Sequence, residues 1–244
     1  MIALGEVVII GGGCYGSFYA GQLAKARASG RVIWRRLLLI DRDPACQVTA
    51  QLALIPDATL VVQEWASYLE TWLAEPRADD DQIVPSPLMP HLLAQWLESR
   101  ARATWPGHQV AMVPATDSLG TPFDWLHPGD GVRYVSFADW LCPTHCIEPA
   151  TCPAIGAPRS WEMGDAVTAW TEARRAERPT AGPALFTCRH VVHGVGMYPA
   201  RLAADAFAAL ATQLEATPEG ADLVVGSVSA CHGAVGVLRV NGER

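Results

Sequence analysis

Between a β-branched run at residues 6–10 and a helix-forming stretch at residues 17–28, the chain places Gly11-Gly12-Gly13-Cys14-Tyr15-Gly16. A strand that turns into a helix within so few residues needs glycine at particular points. Gly11 makes the tight turn, Gly13 lets a ligand approach the backbone, and Gly16 lets helix and strand pack closely. The unpaired N–H groups and the positive dipole end of the helix then face whatever sits over the turn. This feature restricts the N-terminal part of the chain to a strand–helix–strand unit of the α/β class.

The rest of the pattern extends that unit. Residues 32–40 form a second strand ending at Asp41, and residues 59–63 a third. Helices are expected at 66–74, 90–104, 165–175 and 199–216. Further strands are expected at 82–84, 109–113, 132–140 and 183–188, with a last one at 223–230. Residues 116–131, rich in Pro, Gly and Asp, read as a long loop. Strands alternating with helices imply a mostly parallel sheet covered on both faces. The expected fold is therefore a single α/β domain over residues 1–244, a doubly wound, Rossmann-like sheet with a Cys-rich insert at 141–164.

A carboxylate at the end of the second strand lies where the ribose of a bound dinucleotide is expected. Asp41 there accepts both ribose hydroxyls and repels a 2′-phosphate, which favours NAD over NADP. Arg42 beside it would instead pair with a 2′-phosphate, so NADP stays open, and FAD uses a similar turn. Over residues 5–45 the chain resembles the Rossmann-type NAD(P)-binding superfamily. Its glycine turn is similar to those of the TrkA-like nucleotide-binding domains and the siroheme-synthase dehydrogenase domain. The resemblance implies a bound dinucleotide and a doubly wound sheet, and it specifies no reaction.

Composition narrows the partners. The net charge is −7 and the pI about 5.4, against a phosphate-binding surface, so nucleic acid is not expected. Lys25 is the only lysine, which leaves little room for Schiff-base chemistry. No run reaches the length of a membrane span and no secretory leader is evident, so a cytoplasmic, reducing location is expected.

In that setting, cysteines are read as ligands or redox groups rather than as a disulfide framework. The chain has seven, an odd number that cannot pair completely. Three lie in Cys142-Pro-Thr-His-Cys146-Ile-Glu-Pro-Ala-Thr-Cys152-Pro153. This spacing is neither the C-x2-C pair of structural zinc nor a common ferredoxin pattern. Proline after cysteine keeps a ligand loop extended. Cys142, Cys146 and Cys152 are the expected ligands of an iron–sulfur cluster, with zinc as the alternative. Cys188 is preferred as the fourth ligand and Cys231 comes second, because both fall near strand ends; His145 would replace a thiolate. Cys14 and Cys46 read as small apolar fillers.

His190 and His232 each follow a candidate ligand and are the acid–base candidates. Residues 194–199, Gly-Val-Gly-Met-Tyr-Pro, read equally as a second anion-binding turn or a helix start, and Arg159 as a fork for an anionic substrate. The functional expectation is an NAD(H)-binding redox protein that passes electrons or hydride through a Cys-ligated site to a small-molecule substrate or a redox partner protein. Two alternatives stand beside it: a non-catalytic nucleotide or redox sensor, and an open-iron lyase or dehydratase.

Overall fold

The computed structural model describes residues 1–142 and 146–242. In chain order the elements begin β1 Ile2–Ile10, α1 Cys14–Ala28, β2 Val32–Asp41, α2 Thr49–Leu52, β3 Ala58–Val62, α3 Trp65–Trp72 and β4 Gln82–Val84. They continue with α4 Leu92–Thr104, β5 Gln109–Val113, β6 Phe123–Leu126, β7 Arg133–Ser136, β8 Thr151–Cys152, β9 Ala157–Pro158 and α5 Met163–Arg175. The last are β10 Thr180–Thr187, β11 Arg189–Val192, β12 Val195–Pro199, α6 Leu202–Ala216, β13 Gly220–Val228 and β14 His232–Asn241. Two compact units result: Met1–Pro90 with Cys188–Arg201, and His91–Thr187 with Leu202–Arg244.

In the first unit the sheet runs β11-β12-β4-β1-β2-β3. β1 is parallel to β2 and to β4, and β2 is parallel to β3. Val7, Ile9, Leu37 and Leu39 share a core with Ala20, Leu23 and Ala26 of α1. The intervening Val8, Ile10, Leu38 and Ile40 are just as buried, which explains why β1 and β2 read as continuous apolar runs and not as alternating ones. α1 closes with Lys25 and Arg27 in its last turn, where cations suit the helix dipole.

Glu6 is the polar exception within β1. Its carboxylate is buried and accepts the Trp72 indole N–H at 2.9 Å; Arg36 pairs with it directly and Arg35 at 3.7 Å. Burial alone would push this carboxyl up. The Trp72 N–H and the Arg36 and Arg35 charges outweigh it and hold the carboxyl below its ordinary value.

The second unit is built on the order β10-β13-β14-β7-β6, with β5 pairing β14 beyond the end of β7. Only β10 and β13 are parallel in it. Met163, Val167 and Trp170 of α5 pack on Val224, Val228, Val235 and Val237. Leu223, Val225, Leu238 and Val240, which alternate with these residues along β13 and β14, are also buried. α4 and α6 pack on this sheet as well. Asp222 is fully buried and accepts two hydrogen bonds from Arg239, at 2.8 Å each, and one from Arg178 at 2.9 Å.

The α/β class expected from the sequence is what forms, but with parallel and antiparallel pairing in two main sheets. The reason lies in hairpins that the helix–strand alternation hides. β11 and β12 form one where residues 194–199 had been read as an anion-binding turn or a helix start; the helix begins at Leu202. β6 crosses the segment read as a loop. β14 follows the strand read as the last one and becomes the centre of its sheet, although Gly233 and Gly236 break its apolar pattern. The contacts divide between the two units. Among the described residues no helix is long and apolar enough to cross a membrane.

Two outcomes follow for stability. Asp222→Ala leaves the half-buried Arg239 and Arg178 without their carboxylate and should cost the second unit about 1–3 kcal/mol in denaturant unfolding. For Glu6, the stabilisation is complete above the carboxyl value of the unfolded chain and is lost as pH falls through the lower folded value. Acid titration of Glu6→Gln should therefore show a shallower loss of stability below about pH 4.5 than the parent chain.

Candidate functional site

At the carboxyl end of β1, the Gly11 turn delivers the chain into α1. Gly11 has φ +91°, a conformation open to glycine. A side chain at Gly16 would overlap the Gly11 carbonyl oxygen, and one at Gly12 would meet the Cys46 sulfur. Gly13 is different: nothing lies within 4 Å of where its Cβ would stand, its φ is −75°, and it is exposed. The fold needs Gly11, Gly12 and Gly16, whereas Gly13 keeps open space over the turn. α1 starts there with no side-chain cap and no acidic residue in its first turn, so its leading N–H groups are left for an anion.

Asp41 closes the other side of the turn. One carboxylate oxygen accepts the Gly12 N–H at 2.7 Å and the other the Asp43 N–H at 2.9 Å. A carboxylate has about four lone-pair sites, so both oxygens keep acceptor capacity. Arg42 pairs with Glu64 at 3.5 Å, both exposed. Trp65, at the start of α3, lies 3.5 Å from the Cβ position of Gly11. Its buried indole nitrogen has no hydrogen-bond partner; sequence reasoning missed this residue.

The cysteines divide between the units. Cys188 belongs to the first, where its sulfur lies over Gly196. Neighbouring His190 bonds the Gly194 carbonyl through Nδ1 at 3.0 Å and so braces the β11–β12 turn. Cys46 is buried under Gly12 as a spacer, and Cys14 is exposed on α1.

Cys142, Cys146, Cys152 and Cys231 all belong to the second unit, whose β13 and β14 are joined by the turn at 229–232. Glu148 ties the 146–148 segment to that turn, accepting Ser229 Oγ–H at 2.5 Å and the Ala230 N–H at 2.9 Å. The Met163 N–H donates to the Ala230 carbonyl, anchoring the other end of the insert. Between them β8 and β9 form a hairpin holding Cys152, which is buried. Residue His145 lies outside the described residues.

N–H donors face these sulfurs. Trp161 Nε1 donates to Cys231 Sγ at 3.2 Å, and the Glu148 N–H to Cys146 Sγ at 3.3 Å. The rings of Trp161, Trp140 and Phe137 stack or meet edge-on at about 6 Å between centroids, giving the thiols an apolar wall. Arg159 Nη1 is buried with no hydrogen-bond partner, while the Trp140 N–H stands close enough to Cys142 to act on its thiol. Burial pushes the Cys142 thiol up, and Cys146, Cys231 and Cys152 push it the same way against the Trp140 N–H. Burial also raises Cys231, opposed by the Trp161 and Arg159 donors.

His232 completes the surroundings. Its Nε2 stands 4.0 Å from Cys142 Sγ and its Nδ1 2.9 Å from Ser136 Oγ, directly across the β7–β14 pair. Burial lowers its pKa, with Glu148 opposing. Among the described residues no group of three or more His, Cys, Asp or Glu side chains could hold a metal ion.

A family model described as "Uncharacterized protein, C-terminal domain" (AF_1314_C) matches residues 93–241. That span is more than half of the chain, and the chain belongs to this family. It contains the insert and the 229–232 turn. No curated protein and no solved structure matches.

The turn geometry separates two glycines by experiment. Gly16→Ala should unfold the first unit or lower its stability by several kcal/mol, because backbone must move to make room. Gly13→Ala should leave the thermal melt within about 0.5 kcal/mol of the parent chain.

Proposed function

We propose that this chain is an NAD(H)-binding redox protein whose first unit holds the dinucleotide and whose second unit carries a cysteine-ligated centre. The observation that supports the first part is the strand order. Parallel strands β3-β2-β1-β4 reverse direction of progression at β1, and the glycine turn sits at the carboxyl end of that strand. Open α/β sheets bind ligands at such a switch point. The order β3-β2-β1 is the one expected of a βαβαβ mononucleotide-binding half, with β4 on the far side of β1.

In this reading the uncapped start of α1 takes the pyrophosphate, and the open space over Gly13 admits it to the backbone. Asp41, fixed by the Gly12 and Asp43 N–H groups, accepts the ribose hydroxyls with its remaining lone pairs. Arg42 is engaged by Glu64, which favours NAD(H) over NADP(H). The unpaired N–H of Trp65 lies beside Gly11 and makes this residue a reporter of occupancy. Nicotinamide supplies hydride and a cluster supplies single electrons. The chain's own contribution is to bind and orient the first and to shield the second behind Trp161, Trp140 and Phe137, for delivery to a substrate or redox partner.

Titration with NADH, NADPH and FAD, read by quenching of tryptophan emission, tests the nucleotide site. NADH should bind at least tenfold more tightly than NADPH, and Trp65→Phe should remove much of the signal without removing binding by calorimetry. Gly13→Val should weaken NADH about a hundredfold with an unchanged melt. Absence of binding by all three cofactors to the folded chain would defeat the reading.

A further inference from the structure

We infer that the β11–β12 hairpin forms the nicotinamide side of the nucleotide cleft, and that His190 Nε2 accepts a hydrogen bond from the carboxamide N–H of that ring. This rests on the dinucleotide reading proposed above and assigns the half of the ligand that the glycine turn and Asp41 leave unplaced.

A dinucleotide carries two nucleosides on one pyrophosphate. With the pyrophosphate at the start of α1 and one ribose on Asp41, at the end of β2, the other nucleoside has to leave β1 on its opposite side. β4 is the neighbour there, and β12 and β11 lie beyond it. The hairpin reaches the same edge of the sheet as the glycine turn. β12 runs antiparallel to β4, with Tyr198 opposite Ile83. Gly196 therefore lies two residues further toward the carboxyl end of β4, past its last residue, Val84. Val84 is level with Ile9 of β1, just before Gly11. His190 pairs with Gly196 and so stands near the height of the turn. A strand spacing of about 4.8 Å puts β12 about 10 Å from β1, a gap that a ribose and its ring can bridge.

The imidazole is prepared for one role. Its Nδ1 lies 3.0 Å from the Gly194 carbonyl, which only accepts. In the neutral ring the proton therefore sits on Nδ1, and Nε2 keeps its lone pair. An amide N–H matches that nitrogen, whereas phosphate oxygens are acceptors and do not. The ring leans over β12, with Cε1 3.9 Å from where a Cβ of Gly196 would stand. A side chain at Gly196 would also overlap the Cys188 sulfur, so glycine there leaves room for both residues. Val195 and Met197, on either side of Gly196, belong to the core shared with α1, which places His190 on the opposite face of the hairpin. His193 and Gly194 have φ +46° and +75°, the paired positive angles of a tight two-residue turn. The acceptor is thus held by the fold before a ligand arrives, and its half-buried setting strengthens a hydrogen bond made to it.

ADP-ribose has the pyrophosphate and both riboses but no nicotinamide, and it separates this inference from the reading beneath it. Calorimetry on the full chain should show NADH binding at least about fivefold more tightly than ADP-ribose. Nuclear magnetic resonance of the parent chain with labelled imidazoles gives a second readout, the His190 signal being the one lost in His190→Ala. That signal should move on saturation with NADH and stay in place with ADP-ribose. An NAD analogue with an acetyl group in place of the carboxamide lacks the N–H. It should bind the parent chain about fivefold more weakly than NAD, and His190→Ala as well as NAD does. ADP-ribose affinity and the thermal melt should be the same in both chains. Equal affinities for NADH and ADP-ribose, or a His190 signal that moves alike with both, overturn the inference. A preference for NAD over the acetyl analogue that survives in His190→Ala overturns the hydrogen bond. A parent chain that binds neither NADH nor ADP-ribose defeats the nucleotide site itself, a result seen before any substitution is made.

Discussion

The close approach of α1 to β1 at Gly16 is the contact on which the first unit depends. With no side chain there, the helix settles against the Gly11 carbonyl, and its free N–H groups are presented at the end of the strand. Asp41 then clamps the Gly12 amide from the neighbouring strand, and Cys46 fills the space beneath. The turn is thus held in place by the fold itself, so no ordering entropy would have to be lost there on binding a ligand.

The second unit solves a different problem. The insert is fastened to the short turn between the antiparallel β13 and β14, which offers it backbone and side-chain groups. Glu148, with φ +54°, is held in a left-handed conformation at that fastening. Strain of this kind persists where the surroundings over-determine it.

Some of this was legible in the residues. The glycine turn, the acid after β2 and the first strands were readable because each rests on local sterics or an unbroken apolar run. Cys142, Cys146 and Cys152 stood out by proximity in the chain. The partners of these thiols did not: Glu148 and Trp161 carry no spacing signature, and they reach Cys146 and Cys231 through the fastening of the insert to the β13–β14 turn. Cys188 and Cys231 both follow strands, and nothing local says which sheet a strand joins.

By itself, then, the sequence determined the strand–turn–helix at the start, the α/β class and the presence of a thiol-rich insert, all properties of short-range backbone preference and period. Tertiary structure alone decided that the longer strands divide between two main sheets, that β14 runs antiparallel to three neighbours, and that Cys231 accepts the Trp161 indole N–H. Strand pairing is chosen by burial of whole faces and by long-range hydrogen bonds, and those energies depend on partners tens of residues away.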